Sequence, residues 1–273
     1  MIEPAAASEL RAALEPIVRR AGDHLLDSFE NLRAGDVGRK GIVDLVTRLD
    51  LEAQALVQEG LKSAFPGEEV LAEEGCGDAP AQAGRRHQSL WLVDPLDGTT
   101  NFAHGLPVFA VSVARVRGLQ LEAGMVYAPY LRELYWAASG CGARLHGRRL
   151  RVSSRAELDD ALLATGFPYD IRSNHHNNLR EWTHMAVRCR GLRRCGAAAL
   201  DLAWLAAGRF DGYWEFRLNP WDLAAGALLV QEAGGRLTDP GGGSEYLWSG
   251  DVVATNGILH ERLLNELRLA RLE

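Results

Sequence analysis

The chain has 273 residues, 47% of them apolar and 24% charged, with a formal net charge of −6. This length allows one large unit or two closely joined halves with ample core, in an ordinary globular composition. The acidic balance excludes a molecule that traps nucleic acid or anionic membrane by overall charge, so any phosphate must be held by local positive features.

Residues 8–32 carry apolar side chains at helical spacing from Leu10 to Phe29, with Ser8 as cap and Pro16 as the point of a bend. A polar, Gly-rich stretch over 34–41 predicts a loop. Thr47 is expected to cap a second helix, with Asp50 as its capping-box acid, ending before Pro66. A short strand at 70–72, a surface loop at 75–87 and a buried strand at 89–93 follow. Antiparallel strands are predicted at 108–117, 121–127 and 133–138, then a hairpin over 141–150. The second half alternates: strand 161–165, helix 174–188, strand 192–195, helix 197–207 and strand 210–216. A helix capped by Asn219 stops at Gly234-Gly235. Strand 252–254 precedes a last helix capped by Asn256. Two layered α/β halves, about 1–150 and 151–273, meeting at a cleft within one 273-residue unit, is the expected architecture.

No stretch approaches a membrane span, and no signal-peptide pattern opens the chain. The four cysteines (Cys76, Cys141, Cys189, Cys195) form no C-x-x-C pair and no Cys/His zinc spacing. Reduced thiols and a cytoplasmic location are expected. His175, His176 and His184 lack the spacing of a paired zinc site and read as surface residues.

The segment from Trp91 to Phe102 carries the most chemistry. It sets Asp94 and Asp97 where an apolar run stops, followed by Gly98, Thr99, Thr100 and Asn101. Crowded carboxylates repel unless a cation sits between them, and oxygen-only donors suit a hard ion such as magnesium. Pro95 fixes the backbone, the Leu96 carbonyl is a plausible third oxygen, and Gly98 admits an anion close to the backbone, where the amides of Thr99 and Thr100 open a short helix. An Asx turn ending a strand is the plain alternative. Glu73 or Glu74 extends the carboxylate cage or simply ends a strand in water. Asp222, third in the helix after Asn219, either complements the helix dipole or projects toward a metal. The amides at Gly196, Ala197 and Ala198 face an anion or sugar hydroxyl, or those small residues pack on a neighbouring helix. Asp44 and Asp50 flank the segment Leu45–Leu49.

Together, Asp44-Leu-Val-Thr47 with Asp50, Ala72-Glu73-Glu74-Gly75, Asp94-Pro-Leu-Asp97-Gly-Thr99-Thr-Asn-Phe102, Gly196-Ala-Ala, and Trp221-Asp222-Leu-Ala-Ala-Gly226 running into Glu232-Ala-Gly-Gly235 resemble the inositol monophosphatase family across nearly the whole chain. The resemblance implies an αβαβα layered α/β sandwich of the inositol monophosphatase and fructose-1,6-bisphosphatase type. It implies two or three magnesium ions held by Glu73, Asp94, the Leu96 carbonyl, Asp97 and Asp222, with a weaker ion near Asp50. By the same resemblance Glu73, Thr99 and Asp94 would carry the catalysis, with Glu73 and Thr99 orienting the water; Asp97, Gly98, Thr99, Gly196, Ala197, Ala198, Glu215 and Asp222 would contact the substrate, and Lys40 would belong to a mobile loop. A homodimer, lithium sensitivity and a small phosphate ester as substrate are implied as well.

Thr100-Asn101 resembles the inositol type rather than the histidinol-phosphate or nucleotide phosphatases. Ala197 and Asn219 depart from the family where it often shows a hydroxyl residue and a histidine, which leaves the polyol open. Fructose-1,6-bisphosphatase, histidinol-phosphate phosphatase or nucleotide 3′-phosphatase activity are alternatives. So is a non-catalytic role with transcription or ribosome-assembly partners, using Arg148, Arg149, Arg151, Arg188, Arg190, Arg193 and Arg194; no nucleic-acid or membrane partner is expected.

Overall fold

Two helices open the chain, α1 (Pro4–Ala34) and α2 (Arg39–Ala64). The computed structural model describes residues 1–34, 39–74, 89–117 and 120–272; side chains at 32–34 and 39–45 are outside the described set. Seven strands follow: β1 (Glu69–Ala72), β2 (Ser89–Asp97), β3 (Ala110–Arg117), β4 (Gln120–Ala128), β5 (Glu133–Ala138), β6 (Gly142–Leu145) and β7 (Arg148–Arg149), with the short helix α3 (Thr99–Ala103) after β2. They form one sheet in chain order; β1–β2 is parallel and the remaining pairs are antiparallel.

The second half supplies β8 (Leu162–Thr165), α4 (Leu179–Ala186), β9 (Gly191–Arg193), α5 (Ala198–Ala206), β10 (Gly212–Glu215), α6 (Pro220–Glu232), β11 (Arg236–Thr238), α7 (Tyr246–Ser249), β12 (Val252–Thr255) and α8 (His260–Ala270). Its five strands run β11-β12-β10-β8-β9.

Both sheets bury both faces, and the period-2 alternation of side chains shows it. In β2, Leu90 and Leu92 join α5 and α6 in a central core, while Trp91 and Val93 face α1 and α2. In the smaller sheet, Tyr213 and Ala254 point to the central core, whereas Trp214 and Val253 meet Leu263 and Leu267 of α8. The layers are therefore α1/α2, seven-stranded sheet, α5/α6, five-stranded sheet, α4/α8: the expected αβαβα sandwich. The helix pair in the middle packs closely, since a Cβ on Gly226 would lie 2.6 Å from Leu202 Cβ.

Several local expectations are corrected. The buried stripe of α2 runs Val46, Leu49, Ala53, Val57, Leu61, so Thr47 and Asp50 lie inside the helix instead of capping it. Residues 35–38 of the predicted loop are outside the described residues, and Arg39–Gly41 belong to α2. α4 starts at Leu179, not near 174, because Asn178 is left-handed (φ 68°) and its amide is buried against Thr165, Gly166 and Trp214. Asn256 accepts the amides of Ile258 and Leu259, one turn ahead of α8. β11 and α7 had no clear sequence signal. His184 is buried and bonded to Glu266 at 2.8 Å, not a surface residue.

Candidate active site

The predicted pair on β2 depends on a defect in the strand. Asp94 pairs with Ser112 and Asp97 with Ala110, so three steps along β2 match two along β3. This one-residue bulge falls at Pro95, which has no N–H for the ladder. In a regular strand, residues three apart face opposite ways. The extra residue turns Asp97 to the side of Asp94, toward α5 and α6, and sends Leu96 into the core beneath α1 and α2. The Leu96 amide donates to Asp94 Oδ1 at 3.0 Å, fixing the turn.

Gly98 follows with φ 94°, and a Cβ there would lie 2.7 Å from the Val108 carbonyl oxygen. α3 then opens at Thr99, as expected, anchored behind the site by Phe102 against Phe29 and Phe109 at ring separations of 5.3 and 4.9 Å. The Thr99 hydroxyl donates to the Leu96 carbonyl at 3.0 Å. Asn101 donates through one amide nitrogen to the carbonyls of Val108 (2.8 Å) and Cys195 (2.7 Å), tying α3 to the approach of α5.

Across 101 residues of sequence, the Asp97 carboxylate receives the opening amides of α5: Ala198 at 2.9 Å, Ala199 at 2.9 Å and Leu200 at 3.3 Å. The Ala198 amide is thus taken by Asp97, while the residue itself lines the cleft. Asp97 acts as the helix cap that Ala197 cannot be. Gly196 and Ala197 line the cleft beside it. Asp222 accepts the Asn219 amide at 2.7 Å in a capping box, and it also lines the cleft. Ser112 pins the start of α6 by donating to the Trp221 carbonyl at 3.2 Å.

Glu73 and Glu74 part company. Gln54 clamps the Glu74 backbone in both directions, at 2.9 and 3.0 Å, and Glu73 faces the cleft, hydrogen-bonded to Asp94. Glu215 enters from β10, held by the Tyr213 hydroxyl. Gly166 makes room for it, since a Cβ there would fall 2.0 Å from Glu215 Oε1. Lys40 and Asp44 lie where side chains are outside the described residues.

The cavity holds about 100 Å³ and is lined by Glu73, Asp94, Leu96, Asp97, Gly98, Thr99, Glu215 and Asp222. Its acids share one electrostatic signature. Burial first, then Glu73, Asp97, Asp222 and Asp50, hold Asp94 well above the usual carboxylate range. Burial, then Glu73, Asp97 and Glu215, do the same to Asp222 against the Asn219 amide. Burial, then Glu73 and Glu74, push Asp50 up to about 8. Asp97 is raised to about 7 by burial, against the α5 amides, and Glu215 to about 7 by burial, against Tyr213 and Arg194. Asp50 Oδ1 is buried with no hydrogen-bond partner. Mutually repelling carboxylates beside an orphaned oxygen, with no sulfur or imidazole among them, fit a hard cation. Among the described residues, no three acid, His or Cys side chains already stand together at ligating geometry; Asp97 and Asp222 are turned onto amides and Glu73 onto Asp94.

Sequence reasoning missed Phe167, Pro168, Tyr169 and Arg217, which complete the cleft wall, and assigned Arg194 to an outer surface when it too lines the cleft. The remaining arginines do not make one patch: Arg148 and Arg149 edge the larger sheet and Arg193 the smaller. Gln54 had no signal beyond its polarity, because its partner is 20 residues away; Asn101 belonged to the motif, but nothing nearby marked its bond to Cys195, 94 residues on.

A family model described as "Inositol monophosphatase family" matches residues 6–271. The chain is 44% identical over 263 residues to a Pseudomonas aeruginosa protein named Nus factor SuhB, covering 95% of this chain and 94% of that one. It is 42% identical over 263 residues to a Mesorhizobium japonicum protein named inositol-1-monophosphatase, covering 96% and 97%. The solved structure of inositol monophosphatase from Anabaena superposes with a TM-score of 0.83 at 36% identity, covering 95% of each chain.

Proposed function

This chain belongs to the inositol monophosphatase family, and from that premise we propose that it is a magnesium-dependent phosphomonoesterase releasing phosphate from a small polyol ester, foremost inositol 1-phosphate. The observation that carries this reading is the meeting, in one cleft, of Glu73, Asp94, Asp97 and Asp222 from three separate chain segments beside the start of α3. Glu73, Asp94, the Leu96 carbonyl, Asp97 and Asp222 would hold the metal, with Asp50 beside a weaker ion. Magnesium, when bound, supplies a Lewis acid that lowers the pKa of water and offsets charge on phosphate.

The protein's own groups do the rest. Backbone amides at Gly98 and Thr99 hold phosphate oxygens at the start of α3. The Thr99 hydroxyl orients a water in line with phosphorus, and Glu73 takes its proton as the water oxygen bonds to phosphorus. The bond from phosphorus to the polyol oxygen breaks, and that oxygen leaves with a proton drawn from water at the cleft mouth. Glu215 accepts hydroxyls of the leaving group. Asp97, fixed by three amides, keeps its position as charge shifts around it.

The test is phosphate release with and without magnesium over inositol 1-phosphate, fructose 1,6-bisphosphate, histidinol phosphate and adenosine 3′,5′-bisphosphate. Hydrolysis of the first, lost in Asp94→Asn with the circular dichroism unchanged, is the expected result. Near-normal release by that variant would refute the role of the cluster. The likeness to a protein named Nus factor SuhB supports a second reading, a binding role in transcription that survives in the Asp94→Asn variant; a homodimer in the cytoplasm suits either.

A further inference from the structure

Tyr169 is an anomaly of packing. A large aromatic side chain is normally at least half covered, yet Tyr169 is 94% exposed while lining the cleft. The segment bearing it is firmly held. The Ile171 amide closes a turn onto the Pro168 carbonyl at 3.0 Å. Phe167, on one side, packs at a tilt against Trp182, with ring centroids 5.5 Å apart. Asp170, on the other, binds Arg217 at 3.2 Å and accepts from Asn174 at 3.0 Å. A braced turn thus presents one unsatisfied aromatic ring beside the catalytic cavity.

Glu215 lines the cavity and is held there by the buried Tyr213 hydroxyl, so this part of the lining is polar and hydrogen-bonding. It can read hydroxyls, but it offers nothing to the C–H face of a ring. Tyr169 is the group in the wall with an uncovered flat apolar surface and a rigid mount, so it needs little ordering on binding. We propose that Tyr169 is a specificity-determining residue that covers the C–H face of a cyclic polyol leaving group and so favours cyclic over acyclic phosphate esters. The proposal rests on the phosphatase reading above.

The test compares wild type, Tyr169→Ala and Tyr169→Phe on inositol 1-phosphate and glycerol 2-phosphate with magnesium, together with inhibition by inorganic phosphate. Tyr169→Ala should raise KM for the cyclic ester about fivefold with kcat nearly unchanged. The acyclic ester's KM and the phosphate inhibition constant should stay put, and Tyr169→Phe should behave as wild type. An equal change for both esters, a shifted phosphate inhibition constant, a loss in Tyr169→Phe matching that in Tyr169→Ala, or a wild-type preference for glycerol 2-phosphate would overturn it. If wild type is active and Tyr169→Ala is indifferent, only this assignment fails. If wild type releases phosphate from no ester, the phosphatase reading fails and this one with it.

Discussion

Replacing Gly98 by alanine tests the geometry that joins Asp97 to α3. The perturbation has two separable parts. A non-glycine residue at φ 94° pays about 1–2 kcal/mol for left-handed backbone. Its Cβ would also lie 2.7 Å from the Val108 carbonyl oxygen, a backbone atom that cannot swing aside, and such overpacking costs about 1–3 kcal/mol. The sum is about 2–5 kcal/mol, a fall in Tm of roughly 10 °C for a chain of this size. Gly67 supplies the control: its φ is 88°, but a Cβ there meets nothing within 4 Å. Gly67→Ala should therefore show the backbone part alone, about 1–2 kcal/mol, with phosphate release intact. Thermal and urea melts of both variants, with activity measured on each, separate the parts. If Gly98→Ala is no less stable than Gly67→Ala and equally active, the close approach at Val108 does not position the site.

Glu73→Gln should lower kcat at least 100-fold, the usual loss for a general base, with KM nearly unchanged; weaker binding at an unchanged rate would mean that Glu73 does not take the water's proton. The raised acids predict an alkaline instability of the chelated protein. Asp50 is pushed up to about 8, and Asp97 and Glu215 to about 7, whereas in the unfolded chain such acids titrate at about 4. The folded state therefore binds more protons between those limits. The stability these groups contribute is fully present below about pH 4 and is lost as pH rises through 7 to 8. Melts in EDTA should fall across that window, and magnesium should recover the loss mainly at its upper end; a flat profile in EDTA would contradict the burial of these carboxylates.

Much of the site can be read along the chain because its parts are local strings. Asp94 to Phe102 contains its own turn, glycine and helix start, and Asn219 to Asp222 contains its own cap. The apolar alternation of β2 to β5 likewise marks the larger sheet. The illegible parts depend on distant partners. Nothing near Asp97 says that it will cap α5, and nothing near Ala198 says that its amide is already taken. Asn178 occupies a helical pattern yet ends up left-handed, because Thr165, Gly166 and Trp214 make a buried polar socket for it. Tyr169 belongs to a Phe-Pro-Tyr-Asp run with no periodicity, so its place at the cleft emerges only when β8 and α4 are set side by side.

The bulge at Pro95 makes segment length as important as identity. Two aspartates three apart in an unbroken ladder would point to opposite layers, and the surplus residue is what brings both to one side. Inserting one residue opposite it, between Ala110 and Ser112, would even the count, flatten the strand and turn Asp97 beneath the first two helices. The spacing of the acids on one strand is therefore tied to the residue count of its neighbour.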